Sequence, residues 1–215
     1  EGGFAPQLDN AYDALSVIEE SIHDSGFVSG KDIFLALDCA ANEFYDCEKK
    51  LYEIENGVFL TNIELVEYYK KLIHNYPALI SIEDGFHEFD YTGWKLFSNT
   101  MGHKIMIVGD DLFTTNIKTI KKGLLENWAN CLLLKVNQIG TISEAVNASQ
   151  LMKNKNLNVI VSHRSGETNS SLISDLCVGI GAKYIKIGAP ARGERVAKYN
   201  RLLRIEEYII KNSNI

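Results

Sequence analysis

The sequence predicts an α/β fold built on a parallel sheet, and three observations carry that reading. Six short apolar runs rich in β-branched residues recur along the chain. Stretches of helical length lie between them, and the residue at or just past the end of every run is ionisable. The runs are Ile33 to Leu37, Leu79 to Ile82, Ile105 to Val108, Leu132 to Leu134, Val159 to Val161 and Tyr184 to Ile187. They are continuously apolar rather than alternating, as strands covered by helices on both faces are.

The intervening amphipathic stretches are Ala11 to Ser25, Asn62 to Asn75, Tyr91 to Asn99, Asn116 to Trp128, Ser143 to Lys155, Ser171 to Gly181 and Glu194 to Ile210. In the second of these the apolar positions recur three and four apart, which gives one buried face and one wet one. The repeat is read as uninterrupted, with no antiparallel break and no linker that would split the domain. It points to a β/α-barrel or a doubly wound sheet.

Composition narrows the function classes. With 215 residues and 46% hydrophobic content the chain has the material for one large globular domain. A formal charge of -6 gives no basic field to attract nucleic acid or an anionic membrane face. No apolar run reaches the ~20 residues of a membrane span, and the N-terminus carries no secretory pattern. Cys39, Cys47, Cys131 and Cys177 form no CxxC pair and suit a reducing cytoplasm. The sequons at Asn147 and Asn169 are read as chance matches.

Asp38, Glu83, Asp110, Lys135, His163 and Lys186 close the six runs. In a β/α-barrel the C-terminal strand ends form the face that does chemistry, so six such residues would converge on one mouth. One charged residue ending a strand commonly marks only where burial stops. Six of six is harder to dismiss. Asp38, Glu83 and Asp110 on successive strands would repel one another unless a cation sat between them. Magnesium suits an all-oxygen set, whereas zinc would bring Cys or several His. Asp111 follows Asp110 directly and must point to the other side of its strand. Lys135 and Lys186, with His163-Arg164-Ser165 between them, read as an anion site, since Arg164 offers a planar donor fork and Ser165 a hydroxyl. A lysine beside a second cation can serve as a base near neutral pH, and Lys135 is the better placed.

Other motifs fail on context. Gly179-Ile180-Gly181 precedes a strand instead of following one, which makes it a helix C-cap rather than a dinucleotide loop. Ser165-Gly166-Glu167 lacks the surroundings of a nucleophile elbow. Tyr45, Tyr68 and Tyr69 read as packing.

Seven segments resemble those of enolases, in order: Glu1-Gly2-Gly3-Phe4-Ala5-Pro6, Leu37-Asp38-Cys39-Ala40, Ser81-Ile82-Glu83-Asp84, Gly109-Asp110-Asp111-Leu112, Leu134-Lys135-Val136-Asn137-Gln138-Ile139-Gly140-Thr141, Ser162-His163-Arg164-Ser165-Gly166-Glu167-Thr168 and Lys186-Ile187-Gly188-Ala189-Pro190-Ala191-Arg192. The resemblance implies an incomplete TIM-like parallel β/α-barrel over residues 1–215, with about six of eight strands, Ile33 to Leu37 at one edge and Tyr184 to Ile187 at the other. It implies a lyase that interconverts 2-phosphoglycerate and phosphoenolpyruvate. By the same resemblance Asp38, Glu83 and Asp110 ligate the tighter of two magnesium ions, the second arriving with substrate. Lys135 is the carbon base and Glu1 the acid that helps the hydroxyl leave. His163 and Lys186 line the substrate, and Arg164 and Ser165 hold its phosphate. The expected setting is a cytoplasmic homodimer.

Enolases also carry a smaller N-terminal domain and two earlier barrel strands that these residues do not match. The chain as given is therefore expected to turn over nothing measurable. A class I aldolase that uses Lys135 as a Schiff-base lysine, or a non-catalytic scaffold, are the competing readings. The three carboxylates argue against the former.

Overall fold

A computed structural model describes residues 1–55 and 57–213 of the chain. The chain divides into two compact units: Pro6–Phe113 with Lys118–Cys131, and Glu1–Ala5 with Thr114–Ile117 and the chain from Leu132 onward.

The first unit opens with α1 (Ala11–Asp24), whose free N-terminal amides are met by Asn10, its side chain accepting from the N–H of Asp13 at 3.0 Å. β1 (Leu35–Asp38) leads through a 3-10 turn, Ala41–Phe44, into β2 (Tyr45–Asp46), β3 (Leu51–Glu55) and β4 (Val58–Leu60). α2 (Asn62–Asn75) starts on a capping box in which Thr61 and Glu64 satisfy each other's backbone. β5 (Leu79–Glu83), α3 (Tyr91–Met101), β6 (Met106–Gly109) and α4 (Ile117–Glu126) follow. β1, β5 and β6 are neighbours in one parallel sheet.

One expectation is corrected here. The βα repeat is broken after β1, because β2, β3 and β4 form a separate antiparallel sheet. Its strands are too short and too polar to form continuous apolar runs. The Asn56-Gly57 dipeptide between Ile54 and Val58 was the available sign, a pair favoured in tight hairpins. The small sheet sends Tyr52, fully buried, into an aromatic core where Phe86 has ring centroids of Tyr52, Tyr69, Trp94 and Phe97 between 5.7 and 6.0 Å away. The first strand is also shorter than read, since Ile33 and Phe34 are exposed and the ladder begins at Leu35.

The second unit carries β7 (Cys131–Leu134), the single turn α5 (Val136–Ile139), α6 (Ile142–Lys153), β8 (Asn158–Ser162), α7 (Leu172–Gly179), β9 (Tyr184–Lys186) and α8 (Gly193–Asn212). β8 and β9 run parallel, and all four residues of β7 are buried, as a strand covered on both faces requires. α7 ends as the glycines suggested: the N–H of Ala182 reaches the carbonyl of Cys177 at 2.9 Å, with Gly181 at φ +63°. Six parallel strands alternating with helices make the fold an incomplete TIM-like β/α-barrel.

Candidate functional site

In the first unit three carboxylates are set by strand register. Asp38 ends β1 and stands opposite Glu83, which ends β5. Glu83 in turn stands opposite Val108 of β6, and Asp110 lies two residues further along. Because paired side chains in a parallel ladder share a face, Asp38 and Glu83 lie on one face at the C-terminal ends of their strands, and Asp110 sits in the bend directly after β6. Asp38 and Asp111 are exposed, while Glu83 and Asp110 are buried.

The backbone beyond the strands is held as well. The N–H of Cys39 donates to the carbonyl of Glu83 at 2.9 Å, and that of Asp84 to the carbonyl of Val108 at 3.0 Å. Asp84, the last residue of the Ser81-Ile82-Glu83-Asp84 motif, organises this end of the sheet. At φ +42° it turns back so that its two oxygens accept the N–H groups of Asp110 and Asp111, both at 2.9 Å. Asn42 donates to Asp111 at 3.1 Å.

Carboxylate oxygens of Asp84, Asp110 and Asp111 all lie within 4.8 Å of one another. Burial pushes the Asp84 carboxyl up to about 7, and the charges of Asp110 and Asp111 add to that push against the two backbone N–H groups. Such crowding of negative charge is relieved by a cation. The donors gathered here are all oxygens, which suits a hard divalent ion.

In the second unit Lys135 follows β7, and its N–H donates to the hydroxyl of the buried Thr115 at 3.0 Å. Lys186 ends β9 in register with Ser162 of β8, and its carbonyl accepts the N–H of His163 at 2.9 Å. His163 and Lys186 are thereby tied to neighbouring strand ends. Arg164 donates from Nη1 to Asn137 at 2.9 Å, and Ser165 is exposed.

Glu1 joins this group through close backbone packing. Its carbonyl accepts the N–H of Ala189 at 3.1 Å, and its carboxylate lies 3.7 Å from Nε2 of His163. The approach depends on Gly188, which sits at φ +77°, and a Cβ there would stand 2.6 Å from the Glu1 carbonyl oxygen. His163 is buried, which disfavours its charged form. Arg195 and Lys186 push its pKa further down, and Glu1 and Glu167 oppose them.

Sequence reasoning missed the side chains that support this loop. The amphipathic pattern of α8 predicts solvated cations, yet two of them, Arg195 and Lys198, are buried. Lys198 donates to the carbonyls of Thr168 at 2.6 Å and Glu194 at 2.7 Å. The spacing of three between the two gave the only sign, since it puts both on one helix face.

The predicted residues therefore divide between the two units, Asp38, Glu83 and Asp110 belonging to one and Glu1, Lys135, His163, Arg164, Ser165 and Lys186 to the other. The first set offers oxygen donors for a cation. The second offers cationic and hydrogen-bonding groups for an anion, with a carboxylate beside a neutral histidine. The family model described as "Enolase, C-terminal TIM barrel domain" matches residues 1–215, the whole chain, and the chain belongs to that family of enolase-type lyase domains.

Proposed function

We propose that the full-length protein interconverts 2-phosphoglycerate and phosphoenolpyruvate, as a cytoplasmic homodimer acting on this small phosphorylated acid. The observation that carries the reading is the placement of all six ionisable residues at or directly after the C-terminal ends of six parallel strands in an enolase-family chain.

In this reading Lys135 takes the proton from carbon 2. That carbon stands next to a carboxylate and is only weakly acidic, so the base needs help from neighbouring charge. Lys186, held at the end of β9, offsets the negative charge that builds on the substrate carboxylate. Glu1 supplies a proton to the departing 3-hydroxyl. Arg164 and Ser165 hold the phosphate, Arg164 through the planar fork that matches its geometry. His163 stays neutral beside Glu1 and contributes a hydrogen bond without adding charge.

Asp38, Glu83 and Asp110 would hold one magnesium ion, and a second is expected to arrive with substrate phosphate. When bound, magnesium supplies Lewis-acid neutralisation of the substrate carboxylate. Enolase-superfamily sites, with a lysine or histidine base and one or two magnesium ions, are themselves the general example of this logic.

Exchange of the carbon-2 hydrogen with solvent isolates the base step. Lys135→Ala in the full-length protein should abolish exchange, whereas Glu1→Gln should block dehydration and spare it. A Lys135→Ala protein that exchanges at the parental rate overturns the assignment. Trapping of a carbonyl substrate on Lys135 by borohydride would favour the Schiff-base alternative instead.

A further inference from the structure

The ring of His163 meets a partner that can only donate. Nη1 of Arg195 lies 2.6 Å from Nδ1 of His163. A guanidinium has five N–H donors and no acceptor, and it does not deprotonate in proteins. Nδ1 must therefore present its lone pair, and the single proton of the neutral ring must sit on Nε2.

Arg195 has little freedom to leave this position. It is 1% exposed, and besides the ring it donates to the carbonyls of Arg164 at 2.8 Å and Ser165 at 2.7 Å. Those carbonyls belong to the two residues that follow His163 in sequence. One planar fork thus holds the ring and the loop together, which a lysine's single point of charge would do less well.

On the other side of the ring Nε2 is buried and faces the half-exposed carboxylate of Glu1. Nε2 has no hydrogen-bond partner among the described residues, and Glu1 Oε2 lies 3.7 Å from it. A buried N–H directed to this side is a donor for an oxygen that stands between His163 and Glu1.

We propose that Arg195 is a positioning residue that fixes His163 as the Nε2–H tautomer, a neutral donor toward an anionic oxygen on the Glu1 side. Through the Arg164 and Ser165 carbonyls it also sets the loop that receives the anion. The tautomer follows from the geometry alone, while the catalytic consequence rests on the proposed enolase reading.

Two-bond hydrogen–nitrogen NMR spectra of the full-length protein with nitrogen-15 histidine separate the two. His163 is assigned by the loss of its signals in His163→Gln. The parent should show a protonated Nε2 and an unprotonated, acceptor-type Nδ1 at neutral pH. Arg195→Leu should show exchange between tautomers and a kcat lower by about 10- to 100-fold, the scale seen when the orienting partner of a metal-bound histidine is removed. Arg195→Lys should restore the Nε2–H tautomer and recover part of kcat. Its KM should be higher than the parent's, because one ammonium cannot span both carbonyls.

A parent spectrum with the proton on Nδ1, or with averaged nitrogens, overturns the proposal whether or not any variant folds. So does a folded Arg195→Leu protein that keeps one tautomer and the parental kcat. If the tautomer responds as expected but the parent does not turn over 2-phosphoglycerate, the functional reading fails and the role of Arg195 in holding the ring stands.

Discussion

Asp84 grips the turn that carries Asp110, Oδ1 accepting the Asp110 N–H and Oδ2 the Asp111 N–H, each at 2.9 Å. A side chain at the end of β5 thereby sets the backbone at the end of β6. Asp84→Ala strips a buried N–H, that of Asp110, and a part-buried one, that of Asp111, of their acceptor, and leaving a buried donor unpaired costs about 1–3 kcal/mol. The expected loss of stability in urea is about 2–4 kcal/mol. Asp84→Asn should recover less than half of it, because the amide nitrogen faces one of the two N–H groups as a second donor. A change below about 0.5 kcal/mol in the alanine variant would show that water replaces both bonds without cost.

Magnesium affinity should follow the register of β1 with β5. Asp38 and Glu83 face each other across that pair, so removing charge from either takes one of three neighbouring carboxylates out of the set. Calorimetric titration of the full-length protein with magnesium should show Glu83→Gln and Asp38→Asn binding at least ~10-fold more weakly than the parent. The buried Glu83 should matter more than the exposed Asp38, because its interactions are less screened by solvent. Unchanged affinity in both variants would remove these residues from the metal site.

How far the sequence could be read depended on whether a signal was local. α2 begins and ends where its three-and-four spacing and the Thr61 capping box place it, at Asn62 and Asn75. The strand ends were legible because each apolar run gives way to Asp, Glu, Lys or His, a change of residue type that marks the position even though Glu83, Asp110 and His163 stay buried. The antiparallel strands around Tyr52 were not, because their stability comes from packing Tyr52 against Phe86, a partner thirty-odd residues away with no trace in local periodicity. Arg195 was hidden for the same reason. An arginine in an amphipathic helix is ordinarily solvated, and only the loop folded against α8 gives it three acceptors.

Gly123 allows α4 to pack directly on two buried rings. A Cβ at this position would stand 2.5 Å from Cε1 of Phe113 and 2.9 Å from Cε3 of Trp128. Neither ring can retreat, since both are fully buried and Trp128 is stacked on Tyr91 with centroids 4.0 Å apart. Overpacking of this kind typically costs about 1–3 kcal/mol, against a gain of about 1 kcal/mol in helix propensity. Gly123→Ala should therefore lower the thermal midpoint by a few degrees. Gly179 in α7 has open space around its Cβ position, so Gly179→Ala should leave the midpoint unchanged or raise it. Equal effects from the two substitutions would mean that the Phe113 and Trp128 rings yield more readily than their burial implies.

The last prediction concerns acid. Arg201 on α8 holds Asp175 on α7 through Nε, 3.0 Å from both carboxylate oxygens, and through Nη2, 2.5 Å from one of them. The side-chain hydrogen bonds from Arg201, and then its charge, hold the Asp175 carboxyl below its ordinary value. A carboxyl depressed in the folded state contributes stability that is present above the ordinary aspartate pKa of ~3.9 and lost as the pH falls through the lower folded value. Asp175→Asn keeps the shape and one acceptor oxygen but cannot carry the charge. Thermal midpoints of parent and variant should differ by a constant amount above about pH 5 and converge as the pH drops below ~4. Both side chains are more than a third exposed, so the difference should be modest and should shrink in molar salt. A gap that persists unchanged at low pH would assign the variant's effect to packing between α7 and α8 rather than to the ion pair.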